Sequence, residues 1–499
     1  MMRNGVVGFV ITATIGSMAG APLSAVTADT STAIRTNIEV PINLQTTGKP
    51  IPPMFMGYSI EWGLIGQLLG KTDGRFQVTE KSIKRLETFT GPMLLRIGGN
   101  SEDEAAYDLS AFHHLPKFVH INITTATLKN MRRLARVTGC RYVLGLNLGA
   151  DKPAMAVQLV RASLRYIGRR HIAAFEIGNE PDDFGRFGGI WRYDSYPLYL
   201  RRWTRTYHAI APLLGKSIKI EGPAFGGYWL ADLPKFLKLE HARLSIVSLH
   251  RYPLGAPIRN PKSPIFASIH NLLKASTADG YGREMKWAVK VAAPYHLPVR
   301  FGEMNNAWDG GKEGVSNTYA STLWAASALL DIARAGGAGV NLHMSQGIDQ
   351  FGGWYGPLRF GRHDHLHRMP EYYGMLAAAD ALQQGGRPIR LMLHSHANVS
   401  IFAFLSHYHS LRMVAINRIP NAKVKLNLKI PTGVHLVRLY RMDAPHLHST
   451  GGITIVGYGA PGDLGSRLLK GRLRPLPRRY HIGAFECPPH SMSILLFRP

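Results

Sequence analysis

The sequence predicts an α/β protein, a (β/α)8 TIM barrel with a C-terminal antiparallel β-sandwich domain. Between residues 51 and 382, short apolar segments alternate with longer segments of helical periodicity, and eight such pairs follow one another. Alternation of this kind predicts a parallel sheet, and eight units predict a closed barrel. Beyond about residue 383 the helical pattern ends and short strands between turns take over, which is typical of an antiparallel domain.

The barrel strands are expected to be short and apolar, because helices cover both sides of a parallel sheet. In chain order they are 55–62, 92–99, 142–147, 172–177, 217–223, 244–250, 297–303 and 339–343. The helices are predicted from apolar residues three or four positions apart. They are 82–89, 125–137, 153–167, 197–210, 233–239, parts of 268–293, 316–335 and 370–382.

The strands of the second domain are bounded by turn residues. They are 390–393, 397–404, 411–417, 424–428, 434–440, 453–455 and 492–497. One alternating segment, 38–44, precedes the barrel, and we expect it to pair into the same sheet. Residues 51–382 are therefore predicted to form the barrel. Residues 29–50 and 383–499, which flank it in the sequence, are predicted to form one β-sandwich domain.

Residues 1–28 have the pattern of a secretory signal peptide. Arg3 precedes an apolar segment, 6–19, that is short for a membrane span, and small residues at 26–28 offer a cleavage site before Asp29. An uncleaved anchor is the competing interpretation. We therefore expect a secreted or periplasmic protein with no membrane span after signal removal.

The chain is strongly basic, with 59 Lys and Arg against 32 Asp and Glu and a formal charge of +27. Such a charge attracts polyanions or acidic substrates. The basic residues are scattered and no nucleic-acid-binding motif is present, so we expect no nucleic-acid partner. The densest cluster, between Arg467 and Arg479, is interpreted as a solvated loop. Cys140 and Cys487 are expected to be buried free thiols, with one disulfide as the alternative.

Polar residues follow most of the predicted barrel strands, at the end where (β/α)8 enzymes keep their chemistry. Because these strand ends lie around one mouth, we expect their side chains to converge. They are Glu61, Asn100, Asn147, Asn179, Glu180, His250, Tyr252, Glu303 and His343. Glu221 also lies at the end of a predicted strand. Glu61 and Glu221 could each contact a sugar, or each could only form hydrogen bonds with its neighbours in the barrel mouth.

Two of these carboxylates, Glu180 and Glu303, follow the fourth and seventh strands and can face each other across a small substrate. Cleavage of an acetal uses such a pair, one carboxylic acid to protonate the leaving oxygen and one carboxylate to attack or to activate water. A separation of about 5–5.5 Å would make the second group a nucleophile, with retention of configuration. The Asn179 amide could bond a sugar hydroxyl beside them.

Several segments resemble glycoside hydrolase family 79, the β-glucuronidase and heparanase family in the clan of retaining (β/α)8-barrel glycosidases. The segment Glu-Ile-Gly-Asn-Glu-Pro-Asp at 176–182 resembles the acid/base motif of that clan. Segments 95–101, 250–253, 301–311 and 370–373 resemble family segments at the second, sixth and seventh strands and at the last helix. The likeness covers about residues 51–380, and the family's plan includes a C-terminal β-sandwich.

The resemblance implies roles for individual residues. Glu180 would be the general acid/base, Glu303 the nucleophile, and Asn179 the contact to the sugar 2-hydroxyl. Family members bind the uronate carboxylate with tyrosine hydroxyls and with backbone amides after the nucleophile and in the eighth loop, where Tyr355 lies. Where the family often has a tyrosine five residues after the nucleophile, this chain has Trp308, whose indole N–H can donate one hydrogen bond.

The predicted function is that of a secreted retaining glycoside hydrolase, an exo-acting β-glucuronidase that needs no cofactor and no metal ion. Its substrate would be a carbohydrate that contains uronic acid. The predicted substrate-binding residues are Asn179, Glu61, Asn100, His250, Tyr252, Trp308, Gly310, Gly311 and Tyr355. The histidines at 363–367 are interpreted as a solvated loop rather than a metal site. The alternatives are an endo-acting, heparanase-like glucuronidase and, from another class, a non-catalytic protein that binds acidic glycans.

Overall fold

The computed structural model describes residues 36–70, 73–184, 195–344, 353–360, 366–391, 395–407, 409–459 and 484–499. The predicted signal segment 1–28 and the basic cluster between Arg467 and Arg479 lie outside the described residues, as does most of the histidine segment 363–367. Within the part of the chain that is described, none of the helices combines the length and the apolar character needed to span a membrane.

The described strands alternate with helices through the first three quarters of the chain and follow one another without helices after that. In chain order the strands are β1 (Thr36–Thr46), β2 (Met56–Glu61), β3 (Leu94–Gly98), β4 (Ala105–Tyr107), β5 (Ile121–Ile123), β6 (Arg141–Leu146), β7 (Ile172–Ile177), β8 (Lys219–Phe225), β9 (Leu244–Arg251), β10 (Leu254–Gly255), β11 (Val299–Met304), β12 (Ala307–Trp308), β13 (Gly339–Met344), β14 (Leu358–Phe360), β15 (Leu366–Arg368), β16 (Arg387–Leu391), β17 (Val399–Leu405), β18 (Leu411–Asn417), β19 (Val424–Lys429), β20 (His435–Asp443), β21 (Thr454–Gly459), β22 (Ala484–Cys487) and β23 (Ser491–Arg498).

The α-helices lie between the barrel strands and after the last of them. They are α1 (Trp62–Leu69), α2 (Asp73–Thr90), α3 (Thr125–Thr138), α4 (Pro153–Ser163), α5 (Tyr196–Leu214), α6 (Leu233–Glu240), α7 (Ile269–Leu272), α8 (Ala275–Ala278), α9 (Tyr281–Ala292), α10 (Tyr319–Arg334) and α11 (Pro370–Leu382).

Eight parallel strands close into a barrel in the order β11-β13-β2-β3-β6-β7-β8-β9. Each corresponds to one of the eight strands expected from the sequence, so the predicted (β/α)8 fold is confirmed. Strands such as β2 and β11 are buried along their whole length, because side chains fill the inside of the barrel and helices cover the outside. Neighbouring strands run in the same direction, so their carboxyl ends all open at one mouth.

The second domain is a curled nine-stranded sheet in the order β21-β20-β23-β18-β17-β16-β1-β19-β22. The N-terminal strand β1 lies inside this sheet, antiparallel to β16 and parallel to β19. Alternate residues of β1, among them Ile38, Val40 and Ile42, are buried in a core separate from that of the barrel. The remaining pairs along this sheet are antiparallel, as predicted.

The differences from the predicted elements have local causes. Helix α1 begins directly after β2, and its apolar residues cannot be told from a continuation of that strand by pattern alone. Helix α2 begins nine residues before its predicted start, because polar residues fill its first turns. Both cysteines, Cys140 and Cys487, are buried free thiols as expected, and burial raises the pKa of each to about 12.

The sheet domain is fastened to the barrel by buried polar contacts. Arg418, after β18, donates to Asp279 Oδ2 at 2.6 Å and to the Ser327 hydroxyl of α10 at 2.8 Å. The first turn of α10 is also capped from the other domain, because Tyr319 N–H and Ala320 N–H donate to carbonyls of the loop after β20. Helix α10 follows the seventh barrel strand, so the second domain supports the segment that returns from the barrel mouth.

Replacement of Arg418 by Met is expected to destabilise the protein by about 3 kcal/mol, because Asp279 and two serine hydroxyls lose a buried cationic partner. The midpoint of urea unfolding measures this change. The control is Lys84→Met, which removes an exposed i,i+4 pair with Glu80 and should change stability by at most about 0.5 kcal/mol. Equal midpoints for wild type and Arg418→Met would contradict the fastening role.

Candidate active site

The backbone after β7 is shaped to present Glu180 at the barrel mouth. Gly178 has a φ of 80°, and a Cβ at this position would collide with Leu148. Glu180 itself has a φ of 43°, a left-handed conformation that is unfavourable for a residue with a side chain. Its N–H donates to the Ala224 carbonyl of β8 at 3.1 Å, which holds the turn in place. An unfavourable backbone conformation of this kind is typical of residues whose side chains must be held in one position for function.

Glu303 stands on the second-last residue of β11 and faces Glu180. The nearest carboxylate oxygens of Glu180 and Glu303 and a ring nitrogen of His250 all lie within 4.8 Å of one another. At this separation each carboxyl group influences the ionisation of the other, because two negative charges disfavour one another at short range. These three groups could also hold a cation, so the expectation of no metal ion stays a prediction.

Glu303 is held as a carboxylate by the groups around it. Arg96 Nη1 donates to its Oε2 at 2.5 Å, and the Tyr252 hydroxyl donates to its Oε1 at 2.7 Å. Burial by itself would raise the pKa of Glu303, but the positive charges of His343 and Arg96 and the bond from Tyr252 outweigh burial. The pKa of Glu303 therefore lies well below its ordinary value.

Glu180 is shifted in the opposite direction. Burial and the negative charges of Glu303 and Asp182 raise the pKa of Glu180 well above its ordinary value. His250 contacts Glu180 Oε1 through Nδ1 at 2.9 Å. Burial, with a contribution from Arg96, lowers the pKa of His250 to about 4, so this ring is neutral at ordinary pH and adds no positive charge. The pKa values of the two carboxyls are thus displaced in opposite directions, which favours Glu180 as the protonated group and Glu303 as the ionised one.

Arg96, on β3, is not among the site residues predicted from the sequence, yet it bonds two of them, Glu303 and Asn179. Its buried guanidinium donates to Glu176 Oε1 from Nε at 2.7 Å and to Asn179 Oδ1 from Nη2 at 2.8 Å, in addition to its bond to Glu303. A signal was present, since an arginine inside the apolar strand Leu-Leu-Arg-Ile-Gly needs a buried anionic partner.

His343 and Glu61 form the side of the site next to β2. His343 Nδ1 lies 3.0 Å from the Ser59 hydroxyl and 3.4 Å from Glu303 Oε2, and its Nε2 lies 3.3 Å from Glu61 Oε1. Burial disfavours the charged ring, but Glu303 and Glu61 outweigh it and raise the pKa of His343. Glu61 Oε2 accepts bonds from the Ser101 N–H and hydroxyl, so much of its bonding capacity is used within the protein.

Asn179 and Asn100 lie together at the mouth. The Asn179 amide donates to Asn100 Oδ1 at 3.1 Å, and its own oxygen is held by Arg96. The side chain of Asn147 does not face the carboxylates, although its position at a strand end suggested that it would. Its side chain bonds the backbone of Asp103, Ala105 and Ala150 and organises loops rather than turning to the carboxylates.

The seventh and eighth loops meet opposite Glu180. Trp354 N–H donates to the Gly310 carbonyl at 2.7 Å, and Gly311 lies against the ring of Tyr355. Tyr355 is buried, with its ring 6.0 Å from that of Tyr252 and 5.9 Å from that of His343. The structure therefore brings this predicted binding residue next to the carboxylate pair.

The Trp308 indole packs against Gly255 in the short pair formed by β10 and β12. A side chain on Gly255 would collide with the ring, so the sixth and seventh loops depend on a glycine at this position. The Trp308 indole is thus held against the backbone of the sixth loop.

Glu371, at the start of α11, is a second residue that was not predicted as part of the site. Its carboxylate accepts bonds from the side-chain amides of Asn305 and Asn306 at 3.2 and 2.9 Å and from Gly356 N–H at 2.9 Å. Burial raises the pKa of Glu371 to about 8. It therefore ties the segment after Glu303 to the loop that carries Tyr355.

Glu221 is not at the barrel mouth, which corrects its predicted place. It is the third residue of β8 and is completely buried inside the barrel, beside Gly302. Burial raises the pKa of Glu221 to about 7, against the opposing charge of Arg300. The prediction failed because a strand expected to end at residue 223 runs on to Phe225.

No protein-family model matches the sequence. The chain is 25% identical over 433 residues to a β-glucuronidase of Neurospora crassa, which covers 76% of this chain and 74% of that protein. It is 22% identical over 377 residues to a β-glucuronidase of Aspergillus niger, covering 69% and 67%.

Solved structures have the same fold. A 4-O-α-L-rhamnosyl-β-D-glucuronidase from Fusarium oxysporum 12S superposes with a TM-score of 0.69 over 92% of this chain and 99% of that one, at 17% identity. The family 51 arabinofuranosidase of Xanthomonas axonopodis pv. citri gives a TM-score of 0.64 over 93% and 100%, at 14% identity. With these relatives and this barrel, the chain is a glycoside hydrolase.

Replacement of Arg96 by Met is expected to destabilise the protein by about 3–5 kcal/mol at pH 8, because Glu176 and Glu303 keep their burial and lose their cation. Without Arg96, one of the positive charges that lower the pKa of Glu303 is lost, so that protonation of this buried carboxyl becomes easier. The variant therefore loses stability as pH rises, and its deficit should be smaller at pH 5 than at pH 8.

Thermal unfolding at both pH values measures this difference. Arg334→Met is the matched control, since Arg334 is half exposed and pairs with Asp331 of its own helix. A deficit for Arg96→Met that does not depend on pH would contradict the electrostatic explanation.

Proposed function

We propose that the protein is a retaining, exo-acting β-glucuronidase resembling glycoside hydrolase family 79. The observation that carries this proposal is the carboxyl pair, with oxygens of Glu180 and Glu303 within 4.8 Å and with pKa values displaced in opposite directions. A short separation supports a nucleophile rather than a base that acts through water. Opposite pKa displacements support one acid and one ionised group at the same pH.

In the first step the Glu303 carboxylate attacks the anomeric carbon while the bond to the leaving oxygen breaks. The Glu180 carboxylic acid gives its proton to that oxygen, and the sugar becomes an ester of Glu303. In the second step Glu180, now ionised, takes a proton from water as the water oxygen attacks the anomeric carbon. The ester bond breaks, Glu303 leaves as a carboxylate, and two inversions give net retention.

The groups around the pair have complementary tasks in this mechanism. Arg96 and His343 keep Glu303 ionised before attack and stabilise it again when it leaves. Neutral His250 can form a hydrogen bond with Glu180 whether Glu180 is protonated or ionised. Because the ring carries no charge, it does not stabilise the ionised form of Glu180, so Glu180 can both give and take a proton. Asn179, oriented by Arg96, is placed to bond the sugar beside the reacting carbon.

The sugar is proposed to be β-linked glucuronic acid. The two curated relatives are β-glucuronidases, and Tyr355 lies beside the carboxylate pair at the junction of the seventh and eighth loops. A tyrosine hydroxyl and the backbone N–H groups of Gly310 and Gly311 can bind a carboxylate without bringing a further charge into the site. Trp308 offers one indole N–H in place of a phenol.

We further propose that the protein is exported and acts outside the cytoplasm. The support is the signal-like pattern of residues 1–28. N-terminal sequencing of the mature protein, recovered from the medium or periplasm, should begin at Asp29. A mature chain that begins at Met1 would contradict cleavage.

Replacement of Glu303 by Gln is expected to lower kcat for an aryl β-glucuronide by roughly 10³-fold or more, because the amide cannot form the glycosyl ester. The control is Glu313→Gln, the same chemical change at an exposed carboxylate ten residues further on, which should keep full activity. A panel of nitrophenyl glycosides of glucuronic acid, glucose, xylose and arabinose, assayed with the wild type, identifies the sugar. Turnover of the neutral sugars in preference to the glucuronide would contradict the uronate assignment.

Azide separates the two carboxylates by the product that each alanine variant forms. In Glu180→Ala, azide should attack the glycosyl ester without base assistance and release a β-glucuronosyl azide. In Glu303→Ala, azide should occupy the vacated space and give the α-azide by one inversion. Proton NMR of the first-formed product reads the configuration, and the same configuration from both variants would reject the assigned roles.

The activity of the wild type should rise and fall with pH in a bell shape. As pH falls through the lowered pKa of Glu303, the nucleophile is protonated and activity is lost. As pH rises through the raised pKa of Glu180, the acid is lost and activity falls again. With 2,4-dinitrophenyl β-glucuronide, whose leaving group needs no proton, Glu180→Gln should lose the alkaline limb of the first step and keep the acidic limb. An alkaline limb that survives in this variant would assign it to another group.

A further inference from the structure

The end of the barrel opposite the carboxylates has a continuous basic surface. Strands β6, β7, β8 and β9 are neighbours in the barrel, so the turns that precede them lie side by side at its amino-terminal end. Basic side chains stand on these turns and on the helix ends that lead into them. We call them the basic face, which consists of Arg132, Arg136, Arg141, Arg169, Arg170, His171, Lys216 and Lys219.

Carboxylates are lacking from the segments that build the basic face. Residues 121–150, 161–171 and 195–219 contain no Asp and no Glu. The carboxylates at its edges are occupied, since Glu240 pairs with Arg243 at 2.5 Å and Glu87 accepts the Met93 N–H. Among the described residues, Arg132, Arg136 and Arg170 form no ion pair with a carboxylate. The positive charge of this face is therefore not neutralised within the described protein.

Several arginines lie near His171. Burial lowers the pKa of His171, and so do the charges of Arg170, Arg132, Arg136 and Arg141. Arg170 Nε donates to His171 Nε2 at 3.0 Å, so the ring accepts a bond in its neutral form. Four guanidinium groups from α3, β6 and the turn before β7 are thus near enough to act on this ring electrostatically, and their positive charges would attract an anion to this part of the face.

The face is concave where it continues towards β9. A cavity of about 290 Å³ opens beside the end of α5 and is lined by Leu214, Lys216, Lys219 and Arg243, among others. Arg169 joins this cavity to the arginine cluster, because its guanidinium donates to the Leu213 carbonyl at 3.0 Å. Basic side chains therefore surround a recess as well as a surface.

We propose that the basic face is a second binding site, for an acidic polysaccharide, separate from the carboxylate pair. Guanidinium groups bind carboxylates and sulfates in a two-point geometry, and the face carries mainly arginine. Four neighbouring strand ends span about 15 Å at the usual strand spacing, which is enough for several charged sugars. The site would hold the protein on an anionic glycan while the mouth at the other end stays open.

Features of the face favour a glycan over other polyanions. A site that binds a membrane surface needs a broad apolar area. Among the described residues, the exposed large apolar side chains that border this face are Val137 and Leu239, which are too few to form such an area. Single-stranded nucleic acid is held by bases stacked on free aromatic rings. The aromatic ring at the recess, Tyr207, is stacked on Trp203 and covered by Arg243.

The test measures the binding of fluorescein-labelled heparin by anisotropy over a range of NaCl concentrations. The triple variant Arg132→Gln, Arg136→Gln and Arg170→Gln should bind at least about 10-fold more weakly at 0.1 M NaCl. Its slope of log K against log salt should fall by about 1 for each lost contact. The control variant Arg283→Gln, Lys286→Gln and Lys290→Gln removes the same charge from the exposed side of α9 and should bind like the wild type.

A second variant keeps the test valid if the triple variant folds poorly. Lys216→Gln with Lys219→Gln changes two exposed residues and should give a smaller loss of the same sign. If the control variant bound heparin as weakly as the triple variant, the loss would be explained by net charge alone and the proposal would be overturned. The proposal would also be overturned if the triple variant bound heparin as tightly as the wild type. Tighter binding to phosphatidylserine vesicles or to single-stranded DNA than to heparin would also overturn it.

The binding site and the catalytic site can be told apart in the same experiment. The triple variant and its control should hydrolyse an aryl glycoside at the wild-type rate, since the replaced residues lie at the far end of the barrel. Saturating glucuronic acid should leave heparin bound. Release of heparin by glucuronic acid would place the polymer at the mouth and overturn the proposal, whereas failure of glucuronide hydrolysis would leave the heparin measurement intact.

Discussion

One buried guanidinium determines the electrostatics of the barrel mouth. Arg96 has no exposed surface, and it donates to carboxylates on two other strands, Glu176 of β7 and Glu303 of β11. A cation in this position is stable only while both anions stay close, since a buried charge without a partner is strongly unfavourable. Arg96 is one of the positive groups, with His343 the foremost, that lower the pKa of Glu303 against burial, while burial first and the charge of Glu303 second raise the pKa of Glu180. Arg96 thus contributes to the low pKa of Glu303 from within the barrel, together with His343.

Three further buried carboxylates shape the loops around this centre. Asp103 accepts N–H bonds from the loops after β6 and β7, Asp182 accepts them from the loop after β8, and Glu371 connects the loops after β11 and β13. Each replaces the water that loop N–H groups would otherwise bind. Backbone segments from separate strands are thereby held in one arrangement, and this is how a mouth made of loops can position groups to within a fraction of an ångström.

The sequence allowed the barrel and much of its mouth to be predicted, for physical reasons that can be stated residue by residue. Strand position and the Asn-Glu-Pro pattern indicated Glu180, and the same rule of strand ends indicated Glu303, His250 and Tyr252. Arg96 was missed because strand-end patterns say nothing about residues inside the barrel. Glu371 was missed because its role depends on loops brought together only by folding. Asn147 shows the converse error, since a polar residue at a strand end can serve the backbone instead of the site.

The place of β1 has a consequence for how the chain can be made. This strand lies between β16 and β19, in the interior of the sheet, and its partners are synthesised more than 340 residues later. During that interval its backbone groups have no partner, so a nascent chain carries an unsatisfied strand ahead of a barrel that is complete in sequence. Trimming of the first fifty residues would divide the sheet rather than shorten an edge. Strand β1 and the strands from β16 to β23 therefore form one structural unit, and both segments have to be present before the second domain can be complete.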